Sequence, residues 1–184
     1  KRIWKFTRAG GESLSLAIRF ARTLSSSNPH ILVTGYHGWH DWYLSAKLSK
    51  KNFMDTHLFP NLKVEGVPSS LKENIYSVKY NDFNSIKKII QKDNDISSII
   101  MEVERDQKPK INYLNSIRKI CNKKNICLIF DECTTGFRET YGGLHLKYKI
   151  YPDIAMFGKA IGNGYALTAV IGKKKIMEKS KKTF

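Results

Sequence analysis

Short apolar runs alternate with amphipathic stretches along most of this chain, and that alternation restricts the possible folds more than any other feature. The runs are HILVTG (30–35), DISSIIMEV (95–103), ICLIFD (126–131), DIAMFGK (153–159) and LTAVIG (167–172). They lack the regular polar alternation of a half-exposed strand, as is typical of strands buried on both faces of a parallel sheet. The pattern therefore predicts a strand at each of these places.

Between these runs lie three stretches with the apolar spacing of a helix, at 12–24, 82–92 and 111–125. Gly10 and Gly11 precede the first stretch, and Asp82 is a suitable N-cap for the second. The residues expected to face inward are Leu14, Ala17, Ile18, Ala21 and Leu24 in the first helix, and Tyr113, Leu114, Ile117 and Ile120 or Cys121 in the third. Strands that alternate with helices predict an α/β fold with a three-layer, mostly parallel sheet, in a single domain over residues 1–184. The stretch 39–80 is the least regular and could form a long functional loop.

The formal net charge is +16, which can mean either a surface that binds anionic partners or a lysine-rich surface exposed only to solvent. A basic module that binds nucleic acid or another anionic surface would have such a charge. The lysines are scattered, however, and the dense basic cluster GKKKIMEKSKK (172–182) includes the apolar Ile176 and Met177. We favour a solvated lysine-rich surface, with this tail as an exposed helix face, and expect no nucleic-acid partner.

The three cysteines, Cys121, Cys127 and Cys133, lack the spacing of a zinc site and do not suggest a disulfide framework. They suit a reducing compartment, so we expect a cytoplasmic protein. No apolar stretch is long enough to span a bilayer, so we expect no membrane partner. His37 and His40 have no third ligand at a suitable spacing, and we expect no metal.

Chemically useful residues follow three of the predicted strands. Asp131 ends ICLIFD, Lys159 follows DIAMF after one glycine, and Tyr36 and His37 follow HILVT. In open α/β sheets, ligands bind beyond the carboxyl ends of the strands. An acid, a lysine and an aromatic cluster are therefore expected to meet at one edge of the sheet.

Pyridoxal 5'-phosphate calls for such a set of groups. A carboxylate such as Asp131 keeps its ring nitrogen protonated, and an amine such as Lys159 forms a Schiff base with its aldehyde. Its phosphate binds N–H groups at a helix N-terminus, here at Gly10–Gly11, while Tyr36 and Cys133 could cover the ring faces. Each residue also has a structural alternative: a turn aspartate, a surface lysine, an ordinary glycine turn, and core positions for Tyr36 and Cys133.

Over nearly its whole length the chain resembles the class III pyridoxal-phosphate aminotransferases, nearest to the branch of glutamate-1-semialdehyde 2,1-aminomutase. The stretches that carry the resemblance are AGGESLSLAIRFAR, GYHGWHDWY, FDECTTGFR and PDIAMFGKAIGNGYALTAVIG. The resemblance implies the large domain of a fold-type I transferase. It also implies an enzyme, either an aminotransferase or a 1,2-aminomutase, that moves the amino group of a small amino acid, amino-aldehyde or keto compound.

The resemblance also assigns roles to individual residues. Lys159 would bond to the cofactor and then move a proton between the substrate Cα and cofactor C4'. Asp131 would hold the pyridine nitrogen protonated, Tyr36 would stack on the ring, and Gly10 and Gly11 would bind the phosphate through backbone N–H groups.

The chain departs from the family pattern in three respects, at four positions. Ala9 and Gly11 stand where a serine or threonine is usual, Cys133 replaces a valine or isoleucine, and Val103 replaces the proline after Glu102. The resemblance further implies a homodimer of chains roughly twice this length. We therefore expect this chain to be truncated at both ends and incomplete as an enzyme by itself.

Overall fold

The computed structural model describes residues 1–25, 29–50, 52–57 and 61–179. Its centre is a seven-stranded sheet with the strand order β1-β7-β6-β5-β4-β2-β3. The strands are β1 (Arg2–Thr7), β2 (His30–Thr34), β3 (Ile75–Ser77), β4 (Ile96–Glu102), β5 (Cys127–Glu132), β6 (Ile154–Phe157) and β7 (Thr168–Lys173). The five neighbouring strands β3, β2, β4, β5 and β6 pair in parallel, whereas β7 pairs antiparallel with both β6 and β1. The predicted α/β fold with a mostly parallel sheet is confirmed.

The α-helices of the described residues are α1 (Gly10–Arg22), α2 (Asp41–Leu44), α3 (Phe83–Lys92), α4 (Tyr113–Lys124), α5 (His145–Tyr148) and α6 (Lys174–Met177). The three long ones are those that the apolar spacing predicts. The side chain of Asp82 caps α3 by accepting a hydrogen bond of 3.0 Å from Ser85 N, as predicted. Gly10 and Gly11, predicted to precede α1, instead form its first turn, because Ala9 is the N-cap.

The helices cover the sheet on both faces, which gives the predicted three layers. On one face, Leu14 and Ile18 of α1 pack in a cluster with Ile129 of β5. On the other, Ile117 of α4 packs in a cluster with Phe130, the next residue of β5. Successive side chains of a strand point to opposite faces, so a continuously apolar strand such as β5 is buried on both sides.

The basic tail differs from its prediction as an exposed helix face. Ile176 and Met177 of α6 are buried in the same cluster as α1. Among the described lysines of the tail, Lys173, Lys174 and Lys175 remain exposed. Residues 180–182 of the cluster lie outside the described residues. The apolar members Ile176 and Met177 therefore belong to the core, and the charged residues from Lys173 to Lys175, with Glu178, face solvent.

The sheet also contains two strands that the sequence pattern does not predict, β1 and β3. Residues Arg2 to Thr7 of β1 pair with β7 from Lys173 to Thr168. Most side chains of β1 are exposed. An exposed edge strand needs no apolar run, so the apolar pattern does not predict it. The irregular stretch 39–80 contains β3, α2 and one-turn helices at Ser45–Leu48, Met54–Thr56 and Ser69–Leu71. No helix among the described residues is long and apolar enough to cross a membrane.

Candidate active site

The candidate site lies at the carboxyl ends of the central strands, where the chain leaves β2, β5 and β6. Glu102, the last residue of β4, pairs in register with Asp131, and Asp131 pairs with Met156 of β6. The parallel arrangement therefore brings the loop after β2, the turn after β5 and the residues after β6 to one edge of the sheet.

Asp131 is buried, with 5 % of its surface exposed, and its carboxylate has two contacts. Its Oδ2 atom lies 2.9 Å from His37 Nδ1, and its Oδ1 atom accepts a hydrogen bond of 3.0 Å from Cys133 N. His37 Nε2 lies 3.2 Å from the carbonyl oxygen of Thr34. A carbonyl only accepts hydrogen bonds, so Nε2 carries a proton. The ring of His37 is therefore held between this carbonyl and the carboxylate of Asp131.

Lys159 begins a one-turn helix after β6, with a left-handed backbone φ of 46°. Its side chain is exposed, and its Nζ atom donates a hydrogen bond of 2.7 Å to Thr134 Oγ1. Thr134 lies three residues beyond Asp131, in the turn that follows β5. The candidate acid and the candidate amine therefore meet through one short segment of chain.

Cys133 connects three of the predicted site elements. A Cβ atom at Gly158 would lie 2.6 Å from Cys133 Sγ, and one at Gly10 would lie 3.3 Å from the same sulfur. The sulfur therefore lies against both the start of α1 and the residue before Lys159. Burial, with the nearby negative charge of Asp131, raises the pKa of the Cys133 thiol. The thiol is neutral and offers a small, weakly polar surface.

The first turn of α1 presents backbone N–H groups that have no hydrogen-bond partner among the described residues. The helical hydrogen-bond ladder begins with Ser13 N, which donates to Ala9 O at 3.0 Å. The N–H groups of Gly10, Gly11 and Glu12 precede it, as at every helix start. A Cβ atom at Gly11 would lie 2.6 Å from His40 Nε2, so the ring of His40 fills the space beside this glycine. A helix start with such donors can bind an anion.

Tyr36 lies at the same edge, with 38 % of its surface exposed. The guanidinium of Arg105 lies over its ring, 4.9 Å from the centroid. Tyr36 N donates a hydrogen bond of 3.0 Å to Glu102 Oε2, and Arg105 Nη1 lies 3.5 Å from Glu102 Oε1. Burial raises the pKa of Glu102. These residues line a cavity of about 380 Å³ together with Gly35, Thr56, His57, Lys79, Tyr80, Asp106 and Gln107.

The structure thus brings the predicted site residues to one edge of the sheet. Sequence reasoning missed His37 as the partner of Asp131, Thr134 as the partner of Lys159, and Arg105 over Tyr36. The sequence places His37 beside Tyr36 after a strand and considers it as a metal ligand, but does not predict its contact with Asp131. Within the described residues, no three His, Cys, Asp or Glu side chains form a group that could hold a metal ion.

The α/β fold with its mostly parallel sheet is the one predicted for a pyridoxal-phosphate-dependent transferase. The chain matches the family described as aminotransferase class-III over residues 4–183, and it belongs to that family.

Similar curated proteins include both aminotransferases and aminomutases. The chain is 35% identical over 178 residues to 3-aminobutyryl-CoA aminotransferase of Cloacimonas acidaminovorans, covering 93% of this chain and 39% of the relative. It is 39% identical over 181 residues to glutamate-1-semialdehyde 2,1-aminomutase of Methanobrevibacter smithii, covering 95% and 41%. The chain thus spans about two fifths of the length of these relatives.

Solved transaminase structures share the fold. An omega-transaminase from Sphaerobacter thermophilus superposes with a TM-score of 0.80 at 24% identity, covering 95% of this chain and 41% of the other. A transaminase with PLP bound superposes with a TM-score of 0.79 at 23% identity, with the same coverage of 95% and 41%.

Proposed function

We propose that this protein binds pyridoxal 5'-phosphate at this edge and transfers amino groups through Lys159 and Asp131. The observation that carries the proposal is the buried Asp131 and the exposed Lys159 amine held by one turn, through Cys133 N and Thr134 Oγ1. Membership of the class-III aminotransferase family supports it. The residues fit the cofactor, because they offer an anion-binding helix start, a carboxylate, an amine and an exposed aromatic ring.

When bound, the cofactor supplies an aldehyde for amine chemistry and a ring that withdraws electrons from the reacting carbon. Asp131 holds a proton on the ring nitrogen, because a nearby carboxylate favours the charged form of a base. His37 orients this carboxylate and holds its Oδ2 atom through the contact of 2.9 Å. Burial of both side chains strengthens this interaction by keeping water away.

Lys159 has two tasks in this proposal. Its amine would hold the cofactor through a covalent bond to the aldehyde carbon. The same amine, once free, would be the group that moves a proton between the substrate Cα and cofactor C4'. The contact of Nζ with Thr134 Oγ1 supports both tasks, because a general base must be held close to the proton it moves.

The remaining candidate residues hold and orient the cofactor. Backbone N–H groups of Gly10 and Gly11 bind the phosphate, the ring of Tyr36 stacks on one face, and Cys133 packs against the other. Gly11 has no hydroxyl, so this position contributes its backbone N–H group to the phosphate and no side-chain hydrogen bond. The neutral thiol of Cys133 suits packing against a flat ring.

The proposed reaction is amino-group transfer with a small amino donor and acceptor, either between two molecules or within one. The printed names of the relatives, an aminotransferase and an aminomutase, support this class. We further propose that the protein works as a homodimer in the cytoplasm. The exposed aromatic rings of Trp4 and Phe6 on the edge strand β1, with centroids 6.2 Å apart, support a protein partner. The three unpaired cysteines support a reducing compartment.

The test is the visible absorbance of the purified full-length protein with and without added cofactor, followed by borohydride reduction and peptide mapping. We expect the pyridoxyl group on Lys159 and loss of the visible band in Lys159→Ala. Lys149→Ala is a matched control, because Lys149 is also exposed and has a left-handed φ of 55°. A pyridoxyl group on another lysine, or an unchanged band in Lys159→Ala, would contradict the proposal.

A further inference from the structure

Thr134 Oγ1 is the hydrogen-bond partner that the described residues offer to the amine of Lys159, at 2.7 Å. Within the described part of the chain, Lys159 forms no ion pair with an acidic side chain, in contrast to the exposed Lys63, Lys147, Lys173 and Lys174. A lysine side chain has several freely rotating bonds, so an exposed amine without an anchor would occupy many positions. The contact with Thr134 therefore selects one position for the amine.

The turn that presents Thr134 is held on both sides. Asp131 Oδ1 accepts from Cys133 N at 3.0 Å, and Glu132 O accepts from Gly136 N at 2.8 Å. The next threonine, Thr135, donates its hydroxyl to the buried Glu132 carboxylate. Of the two neighbouring threonines, one is therefore committed to the interior and the other reaches Lys159.

We propose that Thr134 is a positioning residue that holds the amine of Lys159 whenever this amine is not bonded to the cofactor. The inference rests on the proposed function. It adds a positioning residue, Thr134, and describes the free lysine, which is held at the turn directly after the strand that contains Asp131. The groups for the ring nitrogen and for the aldehyde are then fixed by the same few residues.

The covalent step changes the number of protons on the Lys159 nitrogen, and a hydroxyl can remain its partner throughout. The neutral amine attacks the aldehyde carbon, and the carbonyl oxygen leaves as water together with both amine protons. When the amino group of a substrate takes the place of the lysine, its two protons pass to the nitrogen of Lys159. Its Nζ–H then donates to Thr134 Oγ1 again. A hydroxyl both accepts and donates, so Thr134 can follow the nitrogen through this change without moving.

The experiment uses the full-length protein freed of cofactor and compares Thr134→Val with Thr134→Ser. Valine has the shape of threonine without its hydroxyl, and serine retains the hydroxyl. The readout is the rate at which visible absorbance grows on adding pyridoxal 5'-phosphate. Because the hydrogen bond that positions the amine is lost, we expect capture in Thr134→Val to be slower by about tenfold. Thr134→Ser should remain close to the wild-type rate.

Two further measurements separate positioning from folding and from cofactor binding. Pyridoxamine 5'-phosphate has no aldehyde and binds without the lysine bond, so its affinity should be equal in wild type and Thr134→Val. Thr135→Val should lower the urea midpoint of unfolding, since Thr135 serves the buried Glu132, but leave the capture rate of the folded protein unchanged.

Equal capture rates in wild type and Thr134→Val would overturn the role of Thr134 while leaving the proposed function intact. Equal slowing in the two valine variants would also overturn it, since the effect would then come from packing of the turn. Absence of any visible band in wild type would instead refute the proposed function.

Discussion

Asp131 and Glu132 are consecutive residues of β5, both are buried, and their side chains lie on opposite faces of the sheet. On the Glu132 side, Oε1 accepts from His145 N at 2.9 Å and from His145 Nδ1 at 2.8 Å. Its Oε2 atom accepts from Leu144 N at 3.0 Å and from the Thr135 hydroxyl. On the Asp131 side, the described residues provide the two contacts from His37 and Cys133 N.

This difference separates a structural carboxylate from one that can bind a ligand. An ionised carboxylate has about four acceptor positions. The described protein groups fill all of them in Glu132, whereas two in Asp131 remain for another donor. Burial alone would raise the pKa of Glu132, but the hydrogen bonds from His145 and Thr135 lower it overall. Two neighbouring acids at the end of one strand thus have different tasks, and the number of donors around each reveals which.

The largest effect on stability is expected from Glu132→Ala. Removing the carboxylate leaves the donors of Leu144, His145 and Thr135 buried without an acceptor. Loss of one partner of a buried ionic group costs about 3–5 kcal/mol, and we expect a decrease of this size in the free energy of unfolding, measured with urea. A loss below about 1 kcal/mol would mean that water or another group replaces the carboxylate.

Asp131→Asn should have the opposite profile, with a large effect on turnover and a small one on stability. The asparagine oxygen can still accept from Cys133 N. Its NH₂ group can donate to His37 Nδ1 in a neutral ring whose Nε2–H still bonds to Thr34 O. We therefore expect stability to change by less than about 1 kcal/mol. A proton-holding group contributes about 10²–10⁴-fold to catalysis, so turnover of the full-length protein should fall by at least about 100-fold. Normal amino-group transfer by this variant would exclude the proposed role.

A smaller effect on stability is expected at Gly158, the residue before Lys159, because it lies against Cys133. Gly158→Ala adds a Cβ atom 2.6 Å from Cys133 Sγ, and such overpacking costs about 1–3 kcal/mol. Cys133→Ala removes that sulfur, so the double variant should regain most of the loss. A double-mutant cycle on urea unfolding measures this coupling. Additive losses would show that Cys133 and Gly158 are not in tight contact.

The sequence predicted the buried strands, the three long helices and the edge where the site lies, because each depends on local periodicity or on chain order. It did not predict β1, whose pairing with β7 depends on residues about 165 positions away in the chain and leaves no local apolar pattern. Within the site, Asp131 and Lys159 follow strands and could be found by position. His37 also follows a strand, but its contact with Asp131 could not be predicted, since it joins residues 94 positions apart.

The two acids of β5 show the same limit more sharply. From the sequence alone, Asp131 and Glu132 are equivalent carboxylates at the end of an apolar run. Only the fold determines which one receives backbone donors from the segment at Leu144 and His145, and which one faces His37. The resemblance to the family chose Asp131, but the physical reason for the choice is visible only in the three-dimensional arrangement of donors.

The smallest expected effect is a difference in the pH dependence of stability between Glu132 and a third buried acid, Glu102. The folded-state pKa of Glu132 lies below its ordinary value. Its contribution is therefore present above the unfolded pKa, about 4.3, and is lost as the pH falls through the lower folded pKa. The folded-state pKa of Glu102 is raised, chiefly by burial, so its contribution is present below about 4.3 and is lost as the pH rises through the higher folded pKa.

Urea unfolding of wild type, Glu132→Gln and Glu102→Gln between pH 3 and 8 checks both signs. The stability advantage of wild type over Glu132→Gln should be full at neutral pH. It should shrink in acid, because a protonated carboxyl group can no longer accept from all four donors. Against Glu102→Gln, wild type should instead lose ground as the pH rises, because the Arg105 contact at 3.5 Å compensates incompletely for burial of the charge. Equal slopes for the two variants would mean that a buried carboxylate responds to pH in the same way whether it has four donors, as Glu132 has, or fewer, as Glu102 has. The count of donors would then not distinguish a structural acid from one that is free to bind a ligand.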